Sequence, residues 1–159
     1  MMPTPLHLRP ATVDDVPLIH QLIRELADYE HMLEEFSASE TELRATLFGE
    51  RPAAECVLAF AGAAPAGFAL FFANYSTFRA QAGLYLEDLF VRPAFRRRGI
   101  GRALFRHVAQ LACQRGCARL EWMAVDTDTR AQDFYTSMGA RRLPDRGNLR
   151  LSGAELAHL

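Results

Sequence analysis

The chain has 159 residues, which is room for one ordinary hydrophobic core and not for two. Half of them are apolar and 23% are charged, which excludes a disordered chain. The 18 basic and 19 acidic residues leave a net charge of −1, so no general basic excess points to nucleic acid; every basic residue is arginine, and without lysine no Walker-type phosphate loop can form.

Leu6–Arg9 reads as a short strand. A helix is expected from Thr12, with Asp15 at the capping-box position and Val16, Ile19, Leu22, Ile23 and Leu26 forming one buried stripe. Ser39 and Glu42 open a second helix, which Gly49 ends as a C-terminal glycine stop. Cys56–Ala73 is an uncharged stretch close to membrane-span length. Gly62, Pro65 and Gly67 interrupt it, so two apolar strands, Cys56–Ala61 and Gly67–Asn74, explain it better.

A long strand, Gly83–Val91, is stopped by Arg92-Pro93. Ile100–Arg115 is the clearest helix, followed by a strand at Arg119–Val125. Asp128 is expected to cap a helix through Met138. Short strands around Arg141 and Asn148–Leu151 complete the chain. The order βααβββαβαββ implies one mixed α/β domain over residues 1–159.

Cys56, Cys113 and Cys117 give no disulfide framework, and His7, His20, His31, His107 and His158 have no zinc spacing. No metal is expected. Met1–Arg9 lacks the apolar run of a signal peptide, which points to a reducing cytoplasm.

The informative segment runs from Leu86 to Leu104: strand, basic loop, glycine turn, helix. Gly99 and Gly101 let backbone N–H groups converge beside the positive end of a helix, a place that binds a pyrophosphate. Arg96, Arg97, Arg98 and Arg102 add charge there. A dinucleotide fingerprint does not fit, because Leu104 replaces its third glycine. The alternative is a glycine turn with solvated arginines.

Arg96-x-x-Gly99-x-Gly101 after Val91-Arg92-Pro93 resembles the acetyl-CoA-binding motif of the GNAT superfamily of N-acetyltransferases. Leu26-Ala-Asp-Tyr29-Glu30, Tyr85-Leu86-Glu87-Asp88 and Phe134-Tyr135-x-x-x-Gly139-Ala140 look like its diamine branch, which includes polyamine and thialysine acetyltransferases. The resemblance implies a mixed, mostly antiparallel twisted sheet flanked by helices and splayed at its fourth strand. It implies acetyl-CoA as co-substrate, held by Leu89, Phe90 and Val91, by Arg96, Arg97, Arg98, Gly99, Ile100, Gly101 and Arg102, and by Asp128, Thr129, Arg130 and Ala131. By the same resemblance Glu87 takes the amine proton and Tyr135 protonates the departing thiolate. Tyr29, Glu30 and Glu87 contact the acceptor, and the protein is a homodimer.

The chemistry suits these residue types. An alkylamine of pKa about 10.4 is neutral in roughly one molecule in a few thousand at pH 7, and only the neutral form attacks a thioester. Glu87 lies among Tyr85, Leu86, Leu89 and Phe90, so it is expected to be a buried carboxylate. Asp28, Glu30, Glu34 and Glu35 either attract a cationic amine or form a solvated face.

Thr127-Asp128 stands where the family often has Trp-Asn, Phe78 replaces a tryptophan, and Ser76 replaces an acidic residue. These departures bear on the acceptor more than on acetyl-CoA. A small amine is the expected acceptor, with neither nucleic acid nor membrane as partner. A protein N-terminal acetyltransferase and a CoA-binding sensor are the rival readings.

Overall fold

In the computed structural model, which describes residues 5–125, 127–145 and 147–157, the chain first runs as strand β1 (Leu6–Pro10). At Thr12 it turns. The Thr12 N–H donates to the Asp15 carboxylate at 2.7 Å, and Arg9 donates to it twice, at 2.7 and 2.8 Å. Arg9 first, and Thr12 after it, hold the Asp15 carboxyl down at about 2. The expected helix start is a short 3-10 turn, Val13–Asp15, ahead of helix α1 (Val16–Tyr29).

Helix α2 (Glu40–Phe48) has the expected capping box: Ser39 N–H donates to Glu42 at 2.8 Å and Glu42 N–H to Ser39 Oγ at 3.2 Å. Gly49 ends it for a different reason than expected. Its φ is −76°, not left-handed. A Cβ there would lie 2.3 Å from the Ala45 carbonyl oxygen, so close approach selects glycine.

The uncharged stretch folds as a hairpin of β2 (Glu55–Ala61) and β3 (Ala64–Ser76). Among the described residues no helix is long and apolar enough to cross a membrane. Strand β4 (Gln81–Val91), helix α3 (Ile100–Gln114) and strand β5 (Leu120–Trp122) follow. The sheet order is β1-β2-β3-β4-β5, antiparallel except for the parallel β4–β5 pair.

Both faces of the sheet are covered. Cys56, Leu58, Phe68, Leu70 and Phe90 pack with Val16, Ile19 and Leu22 of α1 and Leu43 and Leu47 of α2. Strand side chains alternate, so Val57, Ala59 and Phe71 point to the opposite face. Helix α3 packs against β2, β3 and β4 and buries Ile100, Leu104, Phe105, Val108 and Ala112. The helical stripes were readable because they are local and periodic.

Gly67 lets β3 and β4 close together. A Cβ there would sit 2.3 Å from the Phe90 carbonyl oxygen and 3.1 Å from Val91 Cα, and both neighbours are backbone. Gly67→Ala is therefore expected to cost about 2–3 kcal/mol, measured as a lower urea midpoint at unchanged m. A loss under about 0.5 kcal/mol would mean that the two strands part there without penalty.

Residue contacts divide the chain into two units, Met1–Met123 and Ala124–Leu159. The sheet belongs to the first. The second holds helix α4 (Thr129–Thr136) and helix α5 (Gly153–Ala157). This part of the chain departs from the sequence expectation in three places. The strand expected over Arg119–Val125 is only three residues long, because β4 pairs with it only from Leu84↔Leu120 to Leu86↔Trp122. Helix α4 stops at Thr136, two residues before Met138. The strands expected around Arg141 and over Asn148–Leu151 are not formed. Those residues are irregular, and Leu149 is 100% exposed, with no pairing partner to hold it extended.

Candidate active site

The site begins with a misfit between β3 and β4. Leu70 pairs with Asp88 and Phe71 with Leu86, so Glu87 is an extra residue without a partner on β3. This is a β-bulge, and it has two consequences. Paired residues share a face, so Leu86 lies with Phe71 on the α3 side, whereas Asp88 lies with Leu70 on the α1–α2 side. Glu87 itself is exposed.

The second consequence concerns the backbone. Arg92 N–H bonds to the Ala66 carbonyl on β3 at 2.9 Å. Main-chain groups alternate sides along a strand, so Leu89 and Val91 direct theirs away from β3. The pairing with β5 ends at Leu86, so β4 opens from Glu87 onward, where the splay was expected. The N–H groups of Leu89 and Val91 therefore point away from β3, beyond the last residue of β4 that pairs with β5.

Burial does not fall where it was expected. Glu87 is exposed, and Asp88 is the half-buried, more desolvated carboxyl. Desolvation, with the negative charges of Glu87 and Glu30 adding to it, pushes Asp88 up to about 7. The signal for Asp88 was present in the sequence. Adjacent side chains in a strand point oppositely, so of two consecutive carboxylates one is turned further from water than the other. Only the bulge decides which one goes in.

Beyond β4, a 3-10 turn at Pro93–Phe95 leads into the arginine loop. Arg96 is extended at φ −66° and ψ 161°, Arg97 is left-handed at φ 62°, and Gly99 is left-handed at φ 76° and is the N-cap of α3. A left-handed arginine is strained by about 1 kcal/mol or more, which fixed neighbours must offset. Extended Arg96 followed by left-handed Arg97 follows the pattern of a type II turn, which brings the chain round to the N-terminus of α3, where free backbone N–H groups attract anions. A Cβ on Gly99 would meet nothing within 4 Å, so the space in front of the helix is open. Arg97 and Arg98 are exposed, with Arg98 packed over Phe95 at 5.5 Å; Gly101 and Arg102 are half-buried in the first turn, and Ile100 is buried. These features fit a pyrophosphate.

Helix α1 supplies the acceptor-side candidates. Tyr29 is its last residue and Glu30 the next, both exposed. Tyr29 does not stand alone: the Arg96 guanidinium lies over its ring, 4.2 Å from the centroid. Arg92 is tied to Glu25 through two bonds of 2.8 Å. Neither link was foreseen, since each joins residues about 67 positions apart.

In the second unit, Asp128 caps α4 by accepting the Ala131 N–H at 3.0 Å, and Thr129 and Arg130 are exposed in its first turn. Tyr135 lies on the same helix, edge-on to Phe134 at 5.1 Å. Burial, aided by the charge of Asp128, pushes its phenol up to about 12. Among the described residues no group of three His, Cys, Asp or Glu side chains is placed to hold a metal ion.

The acetyltransferase (GNAT) family model matches residues 20–140. A thialysine N-epsilon-acetyltransferase of Bos taurus is 37% identical over 146 residues, covering 87% of this chain and 85% of that protein. An L-ornithine N5-acetyltransferase of Arabidopsis thaliana is 31% identical, covering 94% of this chain and 85% of that protein. An integron cassette protein from the mobile metagenome of V. cholerae has the same fold, with a TM-score of 0.81 at 26% identity over 96% of each chain.

Proposed function

Since the chain belongs to the acetyltransferase (GNAT) family and is an acyltransferase, we propose that it moves the acetyl group of acetyl-CoA onto a primary amine of a small cationic acceptor. That acceptor is a diamine, a polyamine or a lysine-like amino acid. One observation carries this reading: Glu30, Glu87 and Asp88 lie close enough together for two of them to raise the third, beside the opening of β4 that leads to the arginine loop. A carboxylate cluster attracts an ammonium and takes its proton; an arginine cradle attracts phosphates. The relatives named for thialysine and for ornithine support an amine-bearing amino acid.

Acetyl-CoA supplies the thioester. The loop from Arg96 to Gly101, with Arg102, would hold its pyrophosphate, and Asp128 to Ala131 would lie along its arm. The N–H groups of Leu89 and Val91 would hold the thioester carbonyl and the pantetheine chain. Glu87 accepts the amine proton, directly or through water, so that nitrogen can attack the carbonyl carbon. The carbon–sulfur bond then breaks, and Tyr135 gives its proton to the sulfur. The transfer is direct, with both substrates bound. The whole chain acts as one cytoplasmic domain, and two copies form a homodimer.

CoA at a hundred times its Kd is expected to raise Tm by roughly 5–10 °C. Gly99→Ala should remove most of that shift. Gly116→Ala is the control, because Gly116 has a similar φ of 68° and equally open surroundings outside the loop. It should lose stability without losing the CoA shift. If both variants keep the shift, the cradle lies elsewhere. The function itself is tested by thiol release from acetyl-CoA with a panel of diamines, basic amino acids and peptides. Release with peptide N-termini alone would support the protein-acetylating rival, and release with none would leave the CoA-binding sensor.

A further inference from the structure

We propose that Tyr29 is a positioning residue for the acetyl-CoA cradle and acts through Arg96, rather than being only an acceptor contact. The inference rests on the reading that the arginine loop holds CoA.

The observations are geometric. Arg96 donates its Nε–H to the Val91 carbonyl at 2.9 Å, and its guanidinium carbon stands 4.2 Å from the Tyr29 ring centroid and 5.9 Å from that of Phe90. Tyr29 and Phe90 are themselves 6.3 Å apart and tilted. The guanidinium therefore lies against two rings, within cation–π range of both, with one of its donors already committed. One turn earlier on α1, Glu25 holds Arg92 through two bonds, and Arg92 donates also to the Pro65 carbonyl at 3.0 Å. Glu25 and Tyr29 are four apart, on one face of the helix; Arg92 and Arg96 are four apart and bracket the Pro93–Phe95 turn. Helix α1 thus grips both ends of the turn that leads into the arginine loop.

This grip has work to do. The residue after Arg96 is Arg97, held left-handed at φ 62° against its own preference. A residue in such a conformation relaxes unless the chain beside it is held. Fixing Arg96 fixes the direction in which the backbone enters the turn ahead of α3, before any phosphate arrives. An arginine on aromatic faces suits this role better than lysine, because its flat cation stacks. Phe in place of Tyr29 keeps the ring face and loses only the hydroxyl.

The test is a double-mutant cycle on Tyr29 and Arg96, read as the Kd of CoA by titration calorimetry. Tyr29→Leu is expected to weaken CoA binding about fivefold to tenfold, with Tm unchanged within about 2 °C. Tyr29→Phe should restore wild-type affinity within about twofold. In an Arg96→Gln background, Tyr29→Leu should have no further effect, since its partner is gone. Equal CoA affinity in wild type and Tyr29→Leu overturns the proposal. So does a Tyr29→Leu effect that multiplies with that of Arg96→Gln, or one that Phe fails to restore. In those cases the wild-type chain still binds CoA, and the acetyl-CoA reading stands. A wild-type chain that does not bind CoA overturns both.

Discussion

Asp88→Asn is expected to make the fold more stable at pH 8 and to remove a decline in stability that the wild-type chain shows between about pH 4 and pH 7. In the unfolded chain this carboxyl ionises near its ordinary 3.8; in the folded protein it keeps its proton up to about 7. Between those values the folded state binds more protons than the unfolded one. Stability therefore falls as pH rises through the window and levels off above it, by at most about 4 kcal/mol. Asparagine keeps the shape and never ionises, so its profile should be flatter in that window. Urea midpoints from pH 4 to pH 9 measure this, and identical profiles would mean that Asp88 ionises at its ordinary value. Glu87→Gln separates the causes. Glu87 is the first of the charges that raise Asp88 after desolvation, so removing it should move the end of the window to lower pH.

A group that costs stability at working pH needs a compensating use. Asp88 lies directly beside Glu87 and turns to the α1–α2 side because the bulge puts it there. A carboxyl of pKa about 7 next to an exposed carboxylate gives the amine proton a place to go near neutral pH. Asp88→Asn should then lower kcat/KM for a cationic amine while leaving CoA binding intact, and the loss should shrink as pH approaches the pKa of the free amine.

What the sequence revealed follows the range of the forces involved. The α1 and α3 stripes, the Ser39–Glu42 box and the Arg92-Pro93 stop depend on residues within four or five positions, and all are present. The bulge at Glu87 depends on how β3 meets β4, and alternation within one strand cannot locate it. The same holds for β5. Its three paired residues are set by where β4 stops running alongside, not by the apolar pattern through Val125. Tyr29 was legible as a site residue only through resemblance. Its stacking on Arg96 joins the end of α1 to a loop far along the chain.

Tyr135→Phe is expected to lower kcat about 100-fold, with the Kd of CoA unchanged within about twofold. The phenol stands at about 12, so it keeps its proton throughout the range in which amines become neutral. At first sight that is too weak an acid for a thiolate of ordinary pKa near 8.5. The mismatch closes if the thiolate leaves into the same apolar surroundings, because burial raises thiols as it raises phenols. Cys56 of this chain gives the scale: buried, it too is pushed up to about 12. A donor and an acceptor raised together exchange a proton with little driving force either way, which is where general acid catalysis is effective. Two readouts distinguish this from packing. The loss should stay constant from pH 7 to about 9.5, since Tyr135 does not ionise there. It should also nearly vanish with an acetyl thioester whose thiol has a pKa about three units below the ordinary one, because such a leaving group departs without a proton. An undiminished kcat in Tyr135→Phe, or an equal loss with both thioesters, would assign the ring to packing against Phe134 and leave the thiolate to be protonated by water.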